Sequence, residues 1–290
     1  MRPAISVVVS TYEWPEALDA VLGALAEQTE RPFEVIIADD GSGPATAAVV
    51  ERWGTVPDLR IKHVWQPKNG WRKSRILNLG ALEAEGDYLL FLDGDSLPRR
   101  RMLEATRKGA LANWFLASKR VHLSPGFTKR VLAGEIRPSR WPAPLWLLRA
   151  PRELLTTDRE VARVGLVLPV RDRRRPWRPQ SQDFQAILGA YGFYFGVWRE
   201  SFERVNGFDM RFTGWGGEDE DIAARLRHAG VRCGWPGASA TMLHLWHPPM
   251  RGTSPSNSPL IHETTAAGRV EAIDGLRELR GELARSQLSA

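Results

Sequence analysis

The chain has 290 residues, of which 43% are hydrophobic and 26% are charged, a composition that excludes a disordered chain. Its single cysteine, Cys233, excludes a disulfide framework and a cysteine-based zinc site. No segment reaches the roughly 20 apolar residues that span a bilayer. Residues 1–3 lead directly into a strand-like segment, so we expect a cytoplasmic protein without a signal peptide.

The positive charge is concentrated in one part of the chain. The formal net charge is +6, yet residues 119–178 alone contain 15 Lys and Arg against 5 Asp and Glu, a net charge of +10. The rest of the chain therefore carries a net charge of −4. This basic segment (residues 119–178) is rich in Pro and Trp, and we interpret it as an insertion or surface region with an anionic partner.

Strands and helices alternate through the first part of the chain. Short apolar runs predict strands, and apolar residues at 3.6-type spacing predict helices between them. The predicted strands are 4–10, 33–38, 59–65 and 88–92, and the predicted helices are 15–25, 46–53 and 73–84. This alternation predicts an α/β fold with a doubly wound, mostly parallel, Rossmann-like sheet. Ligands of such sheets bind beyond the carboxyl ends of the strands.

The second patterned part begins near residue 182. An apolar, glycine-punctuated run covers 184–197, and a short helix is predicted over 198–205. A further helix follows an acidic run and ends at His228, before Gly230. We then predict a strand over 240–246, a Pro- and Ser-rich loop over 248–259 and a helix over 267–288.

Acidic pairs follow two of the predicted strands. Asp93 and Asp95 are one residue apart at a strand end, where two carboxylates can hold a hard divalent cation. Asp39 and Asp40 could accept hydrogen bonds from a nucleobase or a ribose. The same residues also suit plain polar turns or caps. Three cations in residues 70–75 indicate either phosphate binding at a helix start or a solvated basic turn.

The run from Trp215 to Asp221 combines an indole, two glycines and four consecutive acids. The positive end of the helix dipole at a helix start offsets part of the repulsion among the acids. The glycines let the backbone approach a ligand closely. One carboxylate at this position could therefore act as a general base toward a bound hydroxyl. The alternative is an ordinary acidic helix start. His244 and His247 follow the predicted strand at 240–246, and one of them could complete a metal site with Asp95.

These stretches occur in an order that resembles a known family. VVVSTYEWPEAL, VIIADDGS and RKSRILNLGALEAEGDYLLFLDGD resemble the nucleotide-binding half of family-2 glycosyltransferases with the A-type fold. GFYFGVWRESFERVNGFDMRFTGWGGEDEDIAARLRHAG resembles the galactosyltransferase-type C-terminal module of β-1,4-galactosyltransferases and bacterial chondroitin polymerases. The two matches cover residues 4–98 and 184–247, about half of the chain.

The resemblance implies a role for individual residues. The nucleotide would be bound by Thr11, Tyr12, Asp39, Asp40, Arg75, Asn78 and Asp93. Asp95 would be the main ligand of a manganese or magnesium ion, helped by Asp93 and by His244 or His247. Asp219 would be the catalytic base, and the acceptor or donor sugar would contact Trp215, Gly216, Gly217 and Glu218.

The resemblance also implies a reaction and a domain organisation. We expect a metal-dependent, inverting hexosyltransferase that moves a sugar from a UDP-sugar to a hydroxyl of a glycan or lipid-linked acceptor, in bacterial polysaccharide biosynthesis. The expected parts are a nucleotide-sugar-binding half (1–118), a basic insertion (119–181), a galactosyltransferase-like acceptor module (182–266) and a C-terminal helix (267–290).

The basic segment supports two alternatives. In the first, the chain is a non-catalytic protein that binds nucleic acid or an anionic membrane through cations interleaved with Trp. The sequence contains no recognisable nucleic-acid recognition module, so no nucleic-acid partner is expected. In the second, the chain is the cytoplasmic enzyme, and the basic segment contacts the inner face of the membrane near a lipid-linked acceptor.

Overall fold

A computed structural model describes residues 4–31, 33–141, 192–248 and 254–288. Its first part alternates strands and helices as predicted. In chain order these are β1 (Ile5–Thr11), α1 (Pro15–Ala26), β2 (Phe33–Asp39), α2 (Pro44–Gly54), β3 (Arg60–Trp65), α3 (Lys73–Glu83) and β4 (Tyr88–Asp93). Helices α1 and α2 begin with a proline, whose fixed φ suits a first helical turn and whose missing N–H is not needed there.

Shorter elements complete the described part of the chain. They are β5 (Ser96–Leu97), α4 (Met102–Gly109), β6 (Trp114–Ala117), β7 (Arg120–His122), α5 (Pro125–Leu132), β8 (Phe195–Trp198), α6 (Arg199–Arg204), α7 (Glu218–His228), β9 (Arg232–Gly234), β10 (Met242–His244), α8 (Ser258–Ala266) and α9 (Leu276–Leu288). None of the helices within the described ranges combines the length and the apolar character needed to cross a membrane.

The main sheet has seven strands in the order β3-β2-β1-β4-β8-β6-β9. Its first four strands are mutually parallel, whereas β8 runs antiparallel to both β4 and β6. The register pairs Thr11 with Asp39 and Ser10 with Asp93, so the carboxyl ends of β1, β2 and β4 lie side by side. The prediction of a mostly parallel, doubly wound α/β sheet is confirmed.

Both faces of this sheet are covered. Along β1, Val7 and Val9 pack into the core on the α1 side, while Val8 packs into the core on the α3 side. This follows from the alternation of side chains along a strand, and it explains the continuous apolar runs in the sequence. Each fully buried Val, Leu or Ile contributes roughly 1.5–3 kcal/mol to the hydrophobic stabilisation.

A second sheet of three strands, in the order β5-β10-β7, lies beyond the end of β4. Strand β10 runs antiparallel to β5 and parallel to β7, and its register pairs His244 with Ser96 and with His122. The small sheet therefore brings the strand predicted near residue 240 to the turn that carries Asp95.

This pairing corrects our interpretation of the first part of the basic segment. Strand β7 and helix α5 belong to the folded core, with Val121 and Phe127 buried in it, and so are not part of a separate surface region. The Ser124 hydroxyl caps α5 by accepting from the N–H of Phe127 at 3.2 Å. Residues 142–178 of the segment lie outside the described residues, and the boundaries at 118 and 181 stay predictions.

Two predictions near the C-terminus are also corrected. The loop expected over 248–259 ends earlier, because α8 begins at Ser258 with a proline in its first turn. The helix expected from residue 267 begins only at Leu276. Gly268, at φ +57°, follows the end of α8. At Gly275 a Cβ would lie 2.0 Å from the carbonyl oxygen of Asn206, so this stretch packs directly on the turn after α6.

Candidate functional site

The described structure brings together, beyond the end of β4, three side chains that could hold a metal ion. The ligand atoms of Asp95, His244 and His247 all lie within 4.8 Å of one another. The Nε2 atom of His244 is 3.6 Å from Asp95 Oδ2, and that of His247 is 3.4 Å from the same oxygen. The sequence left open which histidine would join Asp95, and the structure brings both to it.

The donor set of this cluster fits a divalent metal ion. The Nδ1 atom of His247 lies 2.9 Å from the carbonyl oxygen of Pro248, an arrangement in which Nδ1–H donates and Nε2 is left to bind a metal. His244 Nδ1 is buried without a hydrogen-bond partner in the described structure. One carboxylate with two imidazoles suits a transition-metal ion such as Mn²⁺ better than Mg²⁺, which prefers oxygen ligands.

The electrostatics of the cluster keep its carboxylate charged. Burial raises the pKa of Asp95, but the neighbouring His247 and His244 outweigh it and lower the pKa to about 2. Burial lowers the pKa of His244, which favours the neutral imidazole that binds metals. The ring of His122 packs 4.9 Å from the ring of His244, centroid to centroid.

Asp93 is not a member of the cluster formed by Asp95, His244 and His247 in the described structure. Its Oδ1 atom lies 2.8 Å from Lys73 Nζ and accepts a hydrogen bond from the hydroxyl of Ser10 at 3.2 Å. Lys73 and Ser10 engage one oxygen of this carboxylate, and a share of Asp93 in metal binding stays a prediction. The predicted nucleotide-side role of Asp93 is compatible with this arrangement.

The acidic run at the start of α7 converges on the same lysine. Glu218 Oε1 is 3.4 Å from Lys73 Nζ, and Asp219 Oδ2 accepts from the backbone N–H of Gly192 at 2.6 Å. Burial and the negative charge of Glu218 raise the pKa of Asp219 to about 8, against an opposing effect of Lys73. A carboxyl group with a pKa near neutrality is suited to exchange a proton with a bound hydroxyl.

The loop before α7 exposes an aromatic side chain. Gly216 and Gly217 have φ values of +81° and +98°, a left-handed conformation in which glycine is unstrained. Asn257 fixes this turn by donating to the carbonyl oxygen of Gly216 at 2.7 Å. Trp215 remains 38% exposed, as a residue that stacks on a sugar would require.

The other two acids of the run have different roles. Asp221 and Arg225 form an ion pair of 2.7 Å in which both side chains are fully buried, so Asp221 is structural. Glu220 is exposed.

Four of the predicted nucleotide-binding residues, Thr11, Tyr12, Asp39 and Asp40, lie at the ends of β1 and β2. Tyr12 is 44% exposed, and Lys68 Nζ lies 3.3 Å from the centre of its ring. Thr11 ends β1 beside it. Asp39 is engaged within the protein, with 2.8 Å to the N–H of Ser42 and 3.0 Å to His63 Nε2. Burial raises the pKa of Asp39, but these hydrogen bonds lower it overall.

Asp40 is connected to the C-terminal helix through a chain of hydrogen bonds. Gln66 donates to Asp40 Oδ1 at 2.6 Å and accepts from Arg75 at 2.9 Å. Arg75 in turn donates to Glu282 of α9 at 2.6 Å. Arg75 therefore supports the Asp40 side of the site.

Asn78 does not reach this surface. It is fully buried, and its amide group donates to and accepts from the backbone of Phe208 at 2.8 and 2.9 Å. The predicted nucleotide contact does not fit this position, because both polar atoms of the side chain join α3 to the turn after α6.

Two groups of the site, the ammonium of Lys73 and the backbone N–H of Gly192, do not belong to the residues that the sequence predicted for it. Lys73 lies within the cationic stretch 70–75, which the sequence indicated only as a candidate phosphate site. Gly192 contributes only a backbone N–H, which gives no sequence signal.

The fold is the A-type fold of glycosyltransferases. S. aureus TarS 1–349 in complex with UDP-GlcNAc superposes with a TM-score of 0.61 at 15% identity, covering 95% of this chain and 69% of that one. The mannosyltransferase PcManGT from Pyrobaculum calidifontis, in complex with GDP-Man and Mn²⁺, gives a TM-score of 0.55 at 18% identity, covering 100% and 76%.

The chain belongs to glycosyl transferase family 2, whose model matches residues 6–157. A model described as the N-terminal domain of galactosyltransferase matches residues 183–248. Validoxylamine A glucosyltransferase of Streptomyces hygroscopicus subsp. limoneus is 33% identical over 243 residues, and chondroitin synthase of Escherichia coli is 25% identical over 264. The alignments cover 79% and 84% of this chain but 49% and 35% of those proteins, so the chain spans about half of these relatives or less.

These matches confirm the resemblance and the prediction of a glycosyltransferase. The family-2 match continues beyond residue 98, where the recognisable motifs end, and includes β6, β7 and α5. The chain therefore carries a family-2 glycosyltransferase domain, which favours the enzymatic interpretation over the non-catalytic alternative.

Proposed function

We propose that the chain is a metal-dependent, inverting glycosyltransferase that moves a sugar from a UDP-sugar to a hydroxyl of a glycan or lipid-linked acceptor. The observation that carries the proposal is the placement of Asp219. This carboxyl group, with a pKa of about 8, lies beside the Lys73–Asp93 pair, and Asp93 is two residues from the metal-binding Asp95.

The nucleotide would bind at the ends of β1 and β2. Tyr12 offers an exposed ring on which uracil can stack, with Thr11, Asp39 and Asp40 beside it for the uridine polar groups. The structures of S. aureus TarS with UDP-GlcNAc and UDP support a uridine nucleotide in this fold. Because PcManGT is in complex with GDP-Man, the assay also includes a guanine nucleotide donor.

Asp95, His244 and His247 would hold Mn²⁺ or Mg²⁺. Bound there, the ion would supply positive charge that stabilises the departing diphosphate. The complex of PcManGT with GDP-Man, which also contains Mn²⁺, supports this choice.

Asp219 would act as the general base of a single displacement. It removes the proton of an acceptor hydroxyl while the hydroxyl oxygen forms a bond to the anomeric carbon of the donor. The bond from that carbon to the diphosphate oxygen breaks, and its electron pair leaves with UDP. Attack opposite the leaving group inverts the anomeric configuration. Trp215, Gly216, Gly217 and Glu218 would line the acceptor side.

The experiment is a UDP-release assay with a panel of UDP-sugars, GDP-mannose as a second base, Mn²⁺ and glycan acceptors. We expect Mn²⁺-dependent release from at least one UDP-sugar and a loss of about 10²–10⁴-fold in Asp219→Asn. Glu220→Gln, in the same helical turn but exposed, is the matched control and retains activity. Activity of Asp219→Asn equal to that of the control would contradict the assignment of the base.

The basic segment and the cell location are also part of the proposal. The enzyme would work in the cytoplasm, with the basic segment touching an anionic membrane surface. Flotation with anionic vesicles tests this contact. Reduced flotation is expected when Arg171, Arg173, Arg174 and Arg175 are neutralised together, and no binding by the intact protein would contradict it.

A further inference from the structure

Lys73 joins two parts of the site that lie far apart in the sequence. It is the first residue of α3, and its ammonium lies 2.8 Å from Asp93 at the end of β4 and 3.4 Å from Glu218 at the start of α7. Its side chain is 16% exposed. None of the roles proposed for the nucleotide, the metal ion or the base involves this lysine.

Gly192 shows that Lys73 and Asp219 flank one small gap. A Cβ added at residue 192 would lie 2.5 Å from Lys73 Nζ and 3.0 Å from Asp219 Oδ2. The backbone N–H of the same residue donates to Asp219 Oδ2 at 2.6 Å. A side chain at this position would therefore displace the lysine, the carboxyl group of Asp219, or both.

The negative charges around this gap are stabilised by a cation. Asp93, Glu218 and Asp219 come together in a partly enclosed place, where like charges repel strongly. Burial disfavours the ammonium of Lys73, yet the three acids hold its pKa well above the ordinary value, so it stays charged. A lysine suits this task, since its compact head can approach several carboxylates from one point, whereas a planar guanidinium favours one bidentate partner.

We propose that Lys73 and the backbone N–H of Gly192 are positioning groups for Asp219. The ammonium holds Asp93 and Glu218 at fixed places beside the base, and the N–H orients the carboxyl group of the base toward the acceptor side. This inference rests on the proposed function of Asp219. It assigns the two groups an effect on the chemical step and none on nucleotide binding.

The test separates the chemical step from binding. Lys73→Met, Lys73→Arg and Gly192→Ala are compared with wild type for kcat, for the KM of the UDP-sugar and for the Kd of UDP in the presence of Mn²⁺. We expect Lys73→Met to lower kcat about 100-fold, as misplacement of a catalytic group does, with KM and Kd within about threefold of wild type. Lys73→Arg regains part of kcat because the charge returns.

Two further variants keep the result interpretable. Gly192→Ala tests the same gap if Lys73→Met fails to fold, and it should lower kcat at least about tenfold with Kd unchanged. Lys108→Met removes an exposed lysine, 72% exposed and paired only with Glu104 among the ion pairs of the described residues, and should leave all three constants unchanged.

Each result that contradicts the expectation leads to a different conclusion. A Kd for UDP that rises about tenfold or more in Lys73→Met would mean that the ammonium serves nucleotide binding, directly or through Asp93, and it would overturn the positioning role. Unchanged kcat in both Lys73→Met and Gly192→Ala, with Asp219→Asn inactive, would overturn this inference while sparing the proposed function. A wild-type protein that releases UDP from no donor would overturn both.

Discussion

Replacing Asp219 with Asn should make the protein more stable as well as inactive. Unfolded, an aspartate has a pKa of about 3.8, whereas the folded protein raises the pKa of Asp219 to about 8. Between these values the folded state binds a proton that the unfolded state lacks, so wild-type stability falls as pH rises. Asn carries no such proton and can still accept from the N–H of Gly192.

The magnitude follows from the interval between the two pKa values. Each pH unit in this interval lowers the unfolding free energy of the wild type by about 1.4 kcal/mol relative to that of Asp219→Asn. At pH 7, about three units above the ordinary pKa of 3.8, the advantage of the variant is about 4 kcal/mol, and it grows to about 6 kcal/mol before it levels off above pH 8.

The assay is urea unfolding of wild type and variant at several values between pH 5 and 8.5. The difference in unfolding free energy should grow with pH at the stated slope and then become constant. Glu220→Gln should show no such slope, since this side chain is exposed. A difference that does not change with pH would refute the raised pKa of Asp219, and a variant that is less stable than wild type at pH 8 would contradict the predicted gain.

Three further predictions concern the same site and its support. The kcat/KM of transfer should rise with pH toward about 8 as Asp219 ionises, and Glu218→Gln should move this rise to lower pH because it removes a neighbouring negative charge; a rise at unchanged pH would contradict the coupling. His244→Ala and His247→Ala should each weaken Mn²⁺ binding at least about 10–100-fold in a calorimetric titration, because loss of an outer-shell partner alone has an effect of that size, and full affinity in either would remove that residue from the cluster. Arg225→Met should lower the free energy of unfolding by about 3–5 kcal/mol because it leaves a buried carboxylate unpaired, and a loss below about 1 kcal/mol would show that the pair is not isolated from water.

The part of the fold that the sequence predicts best is the part with regular patterns. Long apolar runs such as that of β1 and helical spacing such as that of α1 repeat over many residues, so local patterning settles them. The parallel arrangement then places Asp39 and Asp93 at one edge without further information. This is why the acidic edge could be located before the structure was known.

The remainder depends on contacts between distant segments. Strands β7 and β10 have three residues each, too few for a period, and they form because they pair with one another. The start of α9 is set by Gly275 packing on Asn206. The sequence shows that Lys73 is a cation but not what it contacts, because its partners belong to β4 and α7. Asn78 has the expected residue type but its polar atoms face the core.

The decisive measurement is the affinity for UDP, with and without Mn²⁺, in Asp219→Asn and Asp95→Asn. In the proposed mechanism Asp95 serves the cation that accompanies the diphosphate, and Asp219 serves the acceptor proton. We predict that Asp219→Asn binds UDP within about threefold of wild type and that Mn²⁺ still strengthens this binding. Asp95→Asn should lose at least about tenfold and respond to Mn²⁺ no longer. Equal affinities in the two variants, or wild-type binding that is independent of Mn²⁺, would contradict this division of roles.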